Sequence, residues 1–156
     1  MTMLMSPPST TEVLNRLLVL HMRSLPMYLG YAPPHELARH PGAKAVLDQI
    51  VEDQKRTVDR LGTLILDSGG TIDYGEFPMS FTALHDLSLE YLLNLLIERQ
   101  QKFVTACEKL ADALGMAPYA QAAAREAVGE AKGHLENLQG LKGPLDYQFG
   151  IWDFGF

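Results

Sequence analysis

Apolar residues recur every three or four positions through four long stretches of this chain, and this spacing constrains the fold more than any other feature. A period near 3.6 residues places apolar side chains on one face of an α-helix, whereas a half-buried strand would alternate apolar and polar residues. The stretches cover residues 9–28, 43–67, 82–114 and 119–141. No strand-like alternation precedes residue 143. The sequence therefore predicts an all-α protein.

Turn-forming residues mark where these helices begin and break. Ser9 followed by Glu12 has the spacing of a capping box at the start of the first helix. Pro26 lies inside the first apolar pattern and should kink or interrupt the helix, because proline removes a backbone donor. The glycine pair at 69–70 should end the second helix.

The lengths of the connections predict how the helices pair. Short turns join the first helix to the second and the third to the fourth, whereas about twelve residues link the two pairs; extended, that link spans roughly 40 Å, close to the length of one long helix. We therefore expect a four-helix bundle made of two antiparallel hairpins joined by a crossover. Gly143-Pro144 should end the fourth helix, which divides the chain into an N-terminal extension (1–10), a bundle (11–142) and a C-terminal tail (143–156).

Composition restricts the class of partner. The formal net charge is −6, which argues against nucleic acid or an anionic membrane surface as the main partner, since both require a basic patch. The lone cysteine, Cys107, falls in an apolar helical pattern and is expected to be a small buried residue. Neither a secretory signal nor an apolar run of membrane-spanning length is present, so we expect a cytoplasmic protein.

Every predicted helix carries a polar residue at or near the centre of its apolar stripe. These residues are His21, Gln54, Thr57, Gln100 and His134. Glu130 lies at the edge of the fourth stripe, whereas Glu98 falls on a mostly solvated face of the third helix. In an antiparallel arrangement the five central groups would meet near mid-height, where helical bundles build cofactor sites.

Three segments resemble bacterioferritins and related ferritin-like proteins of the rubrerythrin type. The segment "LNRLLVLHMRSLPMYL" is similar to the family's first helix, with His21 at the position of a Glu ligand and Tyr28 at that of a tyrosine. The segments "DQKRTVDRLGTLILDSGGT" and "EAKGHLENL" are similar to the second and fourth helices, which each carry Glu-x-x-His. The resemblance covers about residues 15–141 and implies a ferritin-like bundle.

The same resemblance implies a degenerate di-iron site. The family's centre uses four Glu, but the matching positions here are His21, Gln54, Ala131 and, by helical phase, Gln100. A functional ferroxidase is therefore not expected, and whether the chain is an enzyme stays open. The polar groups could satisfy one another, with Tyr28 packing or hydrogen bonding into that layer.

Two ligand-binding alternatives remain for this layer. His21 and His134, with Glu130 as a third donor, could hold one Fe, Zn or Cu ion and make the chain a metal-binding protein or oxidoreductase. A planar cofactor such as haem could instead be held by a histidine or by Met22 or Met27.

The tail "YQFGIWDFGF" is rich in aromatic residues that need a partner surface. It could pack on its own bundle, or it could act as a docking strand through Phe149, Trp152, Phe154 and Phe156. The resemblance implies a homo-oligomer, a dimer or larger, and makes docking to a protein shell conceivable. We therefore expect an oligomeric binding or assembly module that has lost di-iron chemistry.

Overall fold

The computed structural model describes residues 8–84 and 86–153, with side chains up to residue 142. Within these ranges the secondary structure is helical and contains no strand, which confirms the all-α prediction. The elements in chain order are α1 (Thr10–Met22), α2 (Leu25–Tyr31), α3 (His35–Ala38), α4 (Pro41–Asp67), a 3₁₀ helix (Met79–Leu84), α5 (Leu89–Asp112) and α6 (Pro118–Asp153).

Polar side chains cap the starts of the helices. The Ser9 hydroxyl accepts a hydrogen bond from the backbone N–H of Glu12, and Ser24 and Ser88 cap α2 and α5 in the same way. Pro26 lies in the first turn of α2, where its missing N–H leaves no helical bond unmade. The interruption expected near Pro26 is therefore a complete break: α1 ends at Met22, and α2 begins with Ser24 as its own cap.

The contacts between the long helices give their directions. Helix α4 runs antiparallel to α6, because Arg60 pairs with Glu126 near one end and Asp53 contacts His134 farther along. The α5 and α6 helices also run antiparallel, as do α1 and α4, which are connected through α2 and α3. Helices α1 and α6 therefore point one way, and α4 and α5 point the other.

The segment between α4 and α5 runs along α1 and α2 from one end of the bundle to the other. The Asn15 side chain donates to the carbonyl of Thr71 at 2.9 Å and accepts from the N–H of Asp73 at 2.7 Å. Farther along, Arg23 Nε donates to the carbonyl of Tyr74. This path returns the chain to the end of the bundle where α5 can start parallel to α4.

Polar residues divide the buried core into two apolar clusters. One cluster contains Leu14, Leu18, Leu61 and Cys107, and the other contains Leu29, Leu47, Ile50, Leu92 and Leu138. Cys107 is fully buried, as expected, and burial raises the pKa of its thiol to about 12.

Two predicted helix ends are wrong. The third long helix begins at Leu89 rather than near residue 82, because Ser88 caps it and the preceding residues form the 3₁₀ helix. Helix α6 does not end at Gly143-Pro144 but continues to Asp153, so the segment expected to be a docking strand is helical that far. No helix of the described ranges is long and apolar enough to cross a membrane.

Candidate functional site

Five buried polar side chains meet at mid-height between the two apolar clusters. This polar layer consists of His21, Asp53, Gln54, Gln100 and His134. Four of the five, all except Asp53, are residues that helical phase predicted at or near the centre of an apolar stripe. Thr57 is only half-buried and Glu130 is exposed; both stand at the rim, where the Thr57 hydroxyl donates to Glu130 Oε1 at 3.1 Å.

Asp53 is the member of the polar layer that the sequence did not predict. Its Oδ1 accepts a hydrogen bond from Gln49 Nε2 at 2.9 Å and forms an ion pair with Arg56, both on α4. Its Oδ2 lies 3.0 Å from Nε2 of His134 on α6. Asp53 therefore adds to the layer a carboxylate that lies outside the positions matched to the family's Glu ligands.

His134 faces this carboxylate in a close but poorly directed contact. Although 3.0 Å separates its Nε2 from Asp53, the ring nitrogen does not meet the angular requirement of a hydrogen bond. Burial lowers the pKa of His134 below its ordinary value, while the carboxylates of Asp53 and Glu130 act to raise it. The desolvation cost outweighs the two carboxylates, so the ring is neutral at pH 7.

The tautomer of His21 follows from its hydrogen bond. Its Nδ1 lies 2.8 Å from the carbonyl of Leu17, one turn earlier in α1. Since a carbonyl only accepts, Nδ1 carries the proton and Nε2 of the neutral ring is an acceptor. Burial lowers the pKa of His21 to about 4, and its ring forms a T-shaped pair with the ring of Phe103, with 4.7 Å between the centroids.

Gln54 has a fixed amide orientation. The Ser24 hydroxyl caps α2 by accepting from the N–H of Met27, so its own proton is free to donate to Gln54 Oε1 at 2.6 Å. The Gln54 Nε2 group is therefore turned away from Ser24, and no hydrogen-bond partner lies within reach of this buried nitrogen among the described residues. The layer thus contains a buried donor that is available to an acceptor.

The remaining two predicted residues take different places. Gln100 Nε2 donates to the backbone carbonyl of Ala131 at 3.1 Å and so ties α5 to α6. Tyr28 lies in the second apolar cluster, where its ring packs against Phe77 and Phe81. Tyr28 therefore lies in the second apolar cluster, whereas the two histidines lie in the polar layer.

A small cavity lies inside the layer. It measures about 10 Å³, close to the space that one water molecule requires, and is lined by both histidines, Asp53, Gln54 and Glu130 among others. Haem cannot fit between His21 and His134, because the cavity is far smaller than a porphyrin. Met22 and Met27 line a groove on the outside of the bundle instead.

The residues of the layer do not fit a di-iron centre. Two iron ions need several bridging carboxylates, whereas Asp53 is already paired with Arg56 and Glu130 accepts from Thr57 at the rim. Within the described ranges no group of three or more His, Cys, Asp or Glu side chains is arranged, as it stands, to hold a metal ion.

A second candidate site is an apolar groove on the surface beside α2. It has a volume of about 650 Å³ and lies between α2, α4 and the crossover segment. This α2–α4 groove is lined chiefly by Met22, Met27, Tyr31, Val51, Phe77 and Pro78. Tyr31 is 82% exposed and Phe77 is 47% exposed. Their exposure makes the groove an apolar surface open to a partner.

The aromatic residues of the tail fall outside these sites. Nothing is described of the side chains of Phe149 and Trp152, and Phe154 and Phe156 lie outside the described residues. Their predicted role in partner binding therefore stays a prediction.

A scan against protein-family models and searches of curated proteins and of solved structures found no match.

Proposed function

We propose that this chain is a ferritin-like bundle that has lost di-iron chemistry and acts as a homo-oligomeric binding or assembly module. The observation that carries the proposal is the pairing of Asp53, the one buried carboxylate among the residues whose side chains the structure describes, with Arg56 and His134. A carboxylate engaged in this way holds the bundle together, and a ferroxidase would need several that are free to bind iron.

The helix directions and the crossover support the ferritin-like part of this proposal. Two antiparallel hairpins joined along α1 are the arrangement that ferritin-like proteins have. The three sequence segments that resemble the family lie in α1 with α2, in α4 and in α6, in the order that the family requires.

The α2–α4 groove supports the assembly part. A second copy of the chain is the proposed occupant, because a symmetric dimer can cover the same exposed apolar patch on both subunits. Tyr31 and Phe77 are aromatic residues of the kind that are enriched at the buried centres of interfaces.

Analytical ultracentrifugation of the full chain tests this assembly. We expect wild-type protein to form a dimer or larger closed assembly at micromolar concentration, and Tyr31→Glu to weaken association at least about tenfold, since a charge is placed in an apolar contact. Tyr119→Glu is the matched control, because Tyr119 is 86% exposed and lies outside the groove. A wild-type chain that stays monomeric, or equal effects of both variants, would contradict the proposal.

The tail is proposed as a second association segment and needs its own experiment. Removing residues 145–156 should change the oligomeric state or the solubility of the protein, because the segment carries five aromatic residues. A truncated chain that forms the same assembly with the same stability would eliminate this part of the proposal.

A mononuclear metal site is the alternative function. The observation that favours it is that His21, His134, Asp53 and Glu130 all line one cavity of about single-atom size. Binding would require the Asp53–His134 contact to open so that both groups face one ion. Elemental analysis of untagged protein, followed by titration with Fe(II), Zn(II) and Cu(II), tests it; no copurified metal and no uptake would end this alternative.

A further inference from the structure

We propose that a second groove, between α1 and α5, binds a small amphipathic carboxylate, a molecule with an apolar body and one carboxylate group. The α1–α5 groove has a volume of about 390 Å³, within the usual range for small-molecule sites. It lies on the other side of the α1–α2 break from the α2–α4 groove. Arg23 and Ser24, at the break, line both grooves, but the proposal does not rest on the assembly proposed above.

The floor of the α1–α5 groove is apolar. Leu20, Pro26, Phe81 and Phe103 form much of its lining, and Phe81 and Phe103 are largely buried. Such a floor would bury a hydrocarbon chain or an aromatic ring, which is the main source of affinity for ligands of this size.

The rim of the groove carries only positive charge. Its charged lining residues are Arg23, Arg99 and Lys102, and no Asp or Glu lines it, although the chain has 19 acidic residues against 13 basic ones. Lys102 has a carboxylate neighbour, Glu98, at 3.3 Å. The concentration of positive charge on an acidic protein favours an anionic ligand.

Two of these cations have no carboxylate partner among the described residues. The guanidinium of Arg99 lies over the ring of Phe81, 5.3 Å from its centroid, and Arg23 donates through Nε to the carbonyl of Tyr74. Each retains N–H donors that are not used by these contacts. A guanidinium poised above an aromatic floor matches a ligand whose carboxylate lies at one end of an apolar body.

The groove adjoins the polar layer at two side chains, because Gln100 of the layer and its neighbour Phe103 both line the groove. Phe103 lines both the groove and the small cavity of the layer, and its ring contacts His21. A ligand on the groove floor would therefore pack on the outer side of the ring that shields His21. Binding should shift the ring resonances of both residues in an NMR spectrum.

Calorimetric titration of the full chain with decanoate tests the proposal, with decanol and decyltrimethylammonium as ligands of equal chain length. We expect one equivalent of decanoate to bind and decanol to bind at least about tenfold more weakly, since a charged hydrogen bond of ordinary strength accounts for such a ratio. Equal affinity for the three ligands, or no binding of decanoate, would overturn the proposal.

Matched variants locate the ligand. Arg99→Gln should weaken decanoate binding about tenfold, because it removes from the rim a guanidinium that has no carboxylate partner among the described residues. Arg16→Gln makes the same charge change on an exposed part of α1, and Lys55→Gln makes it in the α2–α4 groove; both should leave affinity unchanged. A loss of affinity with Lys55→Gln, or shifts at Phe77 instead of Phe103, would place the ligand elsewhere and overturn the assignment.

Discussion

Acidification should destabilise this protein through His21, and the size of the effect can be worked from its pKa. The pKa falls from 6.5 in the unfolded chain to about 4 in the folded protein, chiefly because burial disfavours the charged ring. The unfolded state therefore binds more protons between these values. The contribution of the neutral His21 ring to the free energy of unfolding is therefore complete above pH 6.5 and is lost progressively as the pH falls towards 4.

The magnitude follows from linkage. Each pH unit between the two pKa values corresponds to about 1.4 kcal/mol, so the free energy of unfolding should fall by about 2 kcal/mol between pH 7 and pH 4.5 and by about 3 kcal/mol in the limit. Burial also lowers the pKa of His134, which adds a loss of the same sign.

Urea denaturation at pH 7, 6, 5 and 4.5 measures the effect by comparing wild type with His21→Leu. We expect the free energy of unfolding of the variant to fall by about 2 kcal/mol less than that of wild type over this pH range, because the substitution removes the titrating ring and leaves all carboxylates in place. His35→Gln is the control, since His35 is exposed and should leave the pH dependence unchanged. Parallel curves for wild type and His21→Leu would refute the reasoning.

Three further substitutions test other parts of the structure by chemical denaturation. Asp53→Asn should lower the free energy of unfolding by about 2 kcal/mol, because the Arg56 cation and the neutral ring of His134 both lose the carboxylate that they contact. Asp48→Asn, at an exposed ion pair, should lower it by less than about 0.5 kcal/mol; equal losses would contradict the role of the layer. Gly75→Ala should lower the free energy of unfolding by about 2 kcal/mol, because φ is +67° at this residue and a Cβ would meet a valine methyl at 2.6 Å. Gly129→Ala, which has open space around it in an exposed part of a helix, should raise the free energy of unfolding by about 0.5 kcal/mol. The reverse order would exclude this conformation of the segment between α4 and α5. Gln54→Leu should change the free energy of unfolding by less than about 1 kcal/mol, because loss of the Ser24–Gln54 hydrogen bond is offset by removal of the buried Nε2 donor, which has no partner among the described residues. A loss above about 2 kcal/mol would show that Nε2 has a partner.

The sequence predicted the helical class and most of the polar layer because both depend on periodicity. His21, Gln54, Gln100 and His134 stand on inner faces that the 3.6-residue period identifies without further information. The helix ends depend on local chemistry that periodicity does not contain. The start of α5 is set by a serine cap, and α6 continues past Gly143-Pro144 although a proline inside a helix removes one backbone donor.

Asp53 escaped prediction for a geometrical reason. Helix α4 packs against both α1 and α6, so its buried face is wider than the centre of its apolar stripe. Gln54 lies at that centre and bonds to Ser24 on the side of α1 and α2, whereas Asp53, one residue earlier, turns towards α6 and contacts His134. Only the position of α6 reveals that a charged residue at the edge of the stripe is buried.

The polar layer fixes how the helices are aligned along the bundle axis. Ser24–Gln54 joins the start of α2 to α4, Asp53–His134 joins α4 to α6, and Gln100 joins α5 to a carbonyl of α6. Sliding one helix by a turn, about 5.4 Å, would break its contact and leave a buried polar group without a partner, whereas the leucine-rich clusters on either side could repack after such a shift. The side chains of the polar layer therefore specify the register of the helices, and this register determines which residues of α2, α4 and the segment between α4 and α5 meet at the α2–α4 groove.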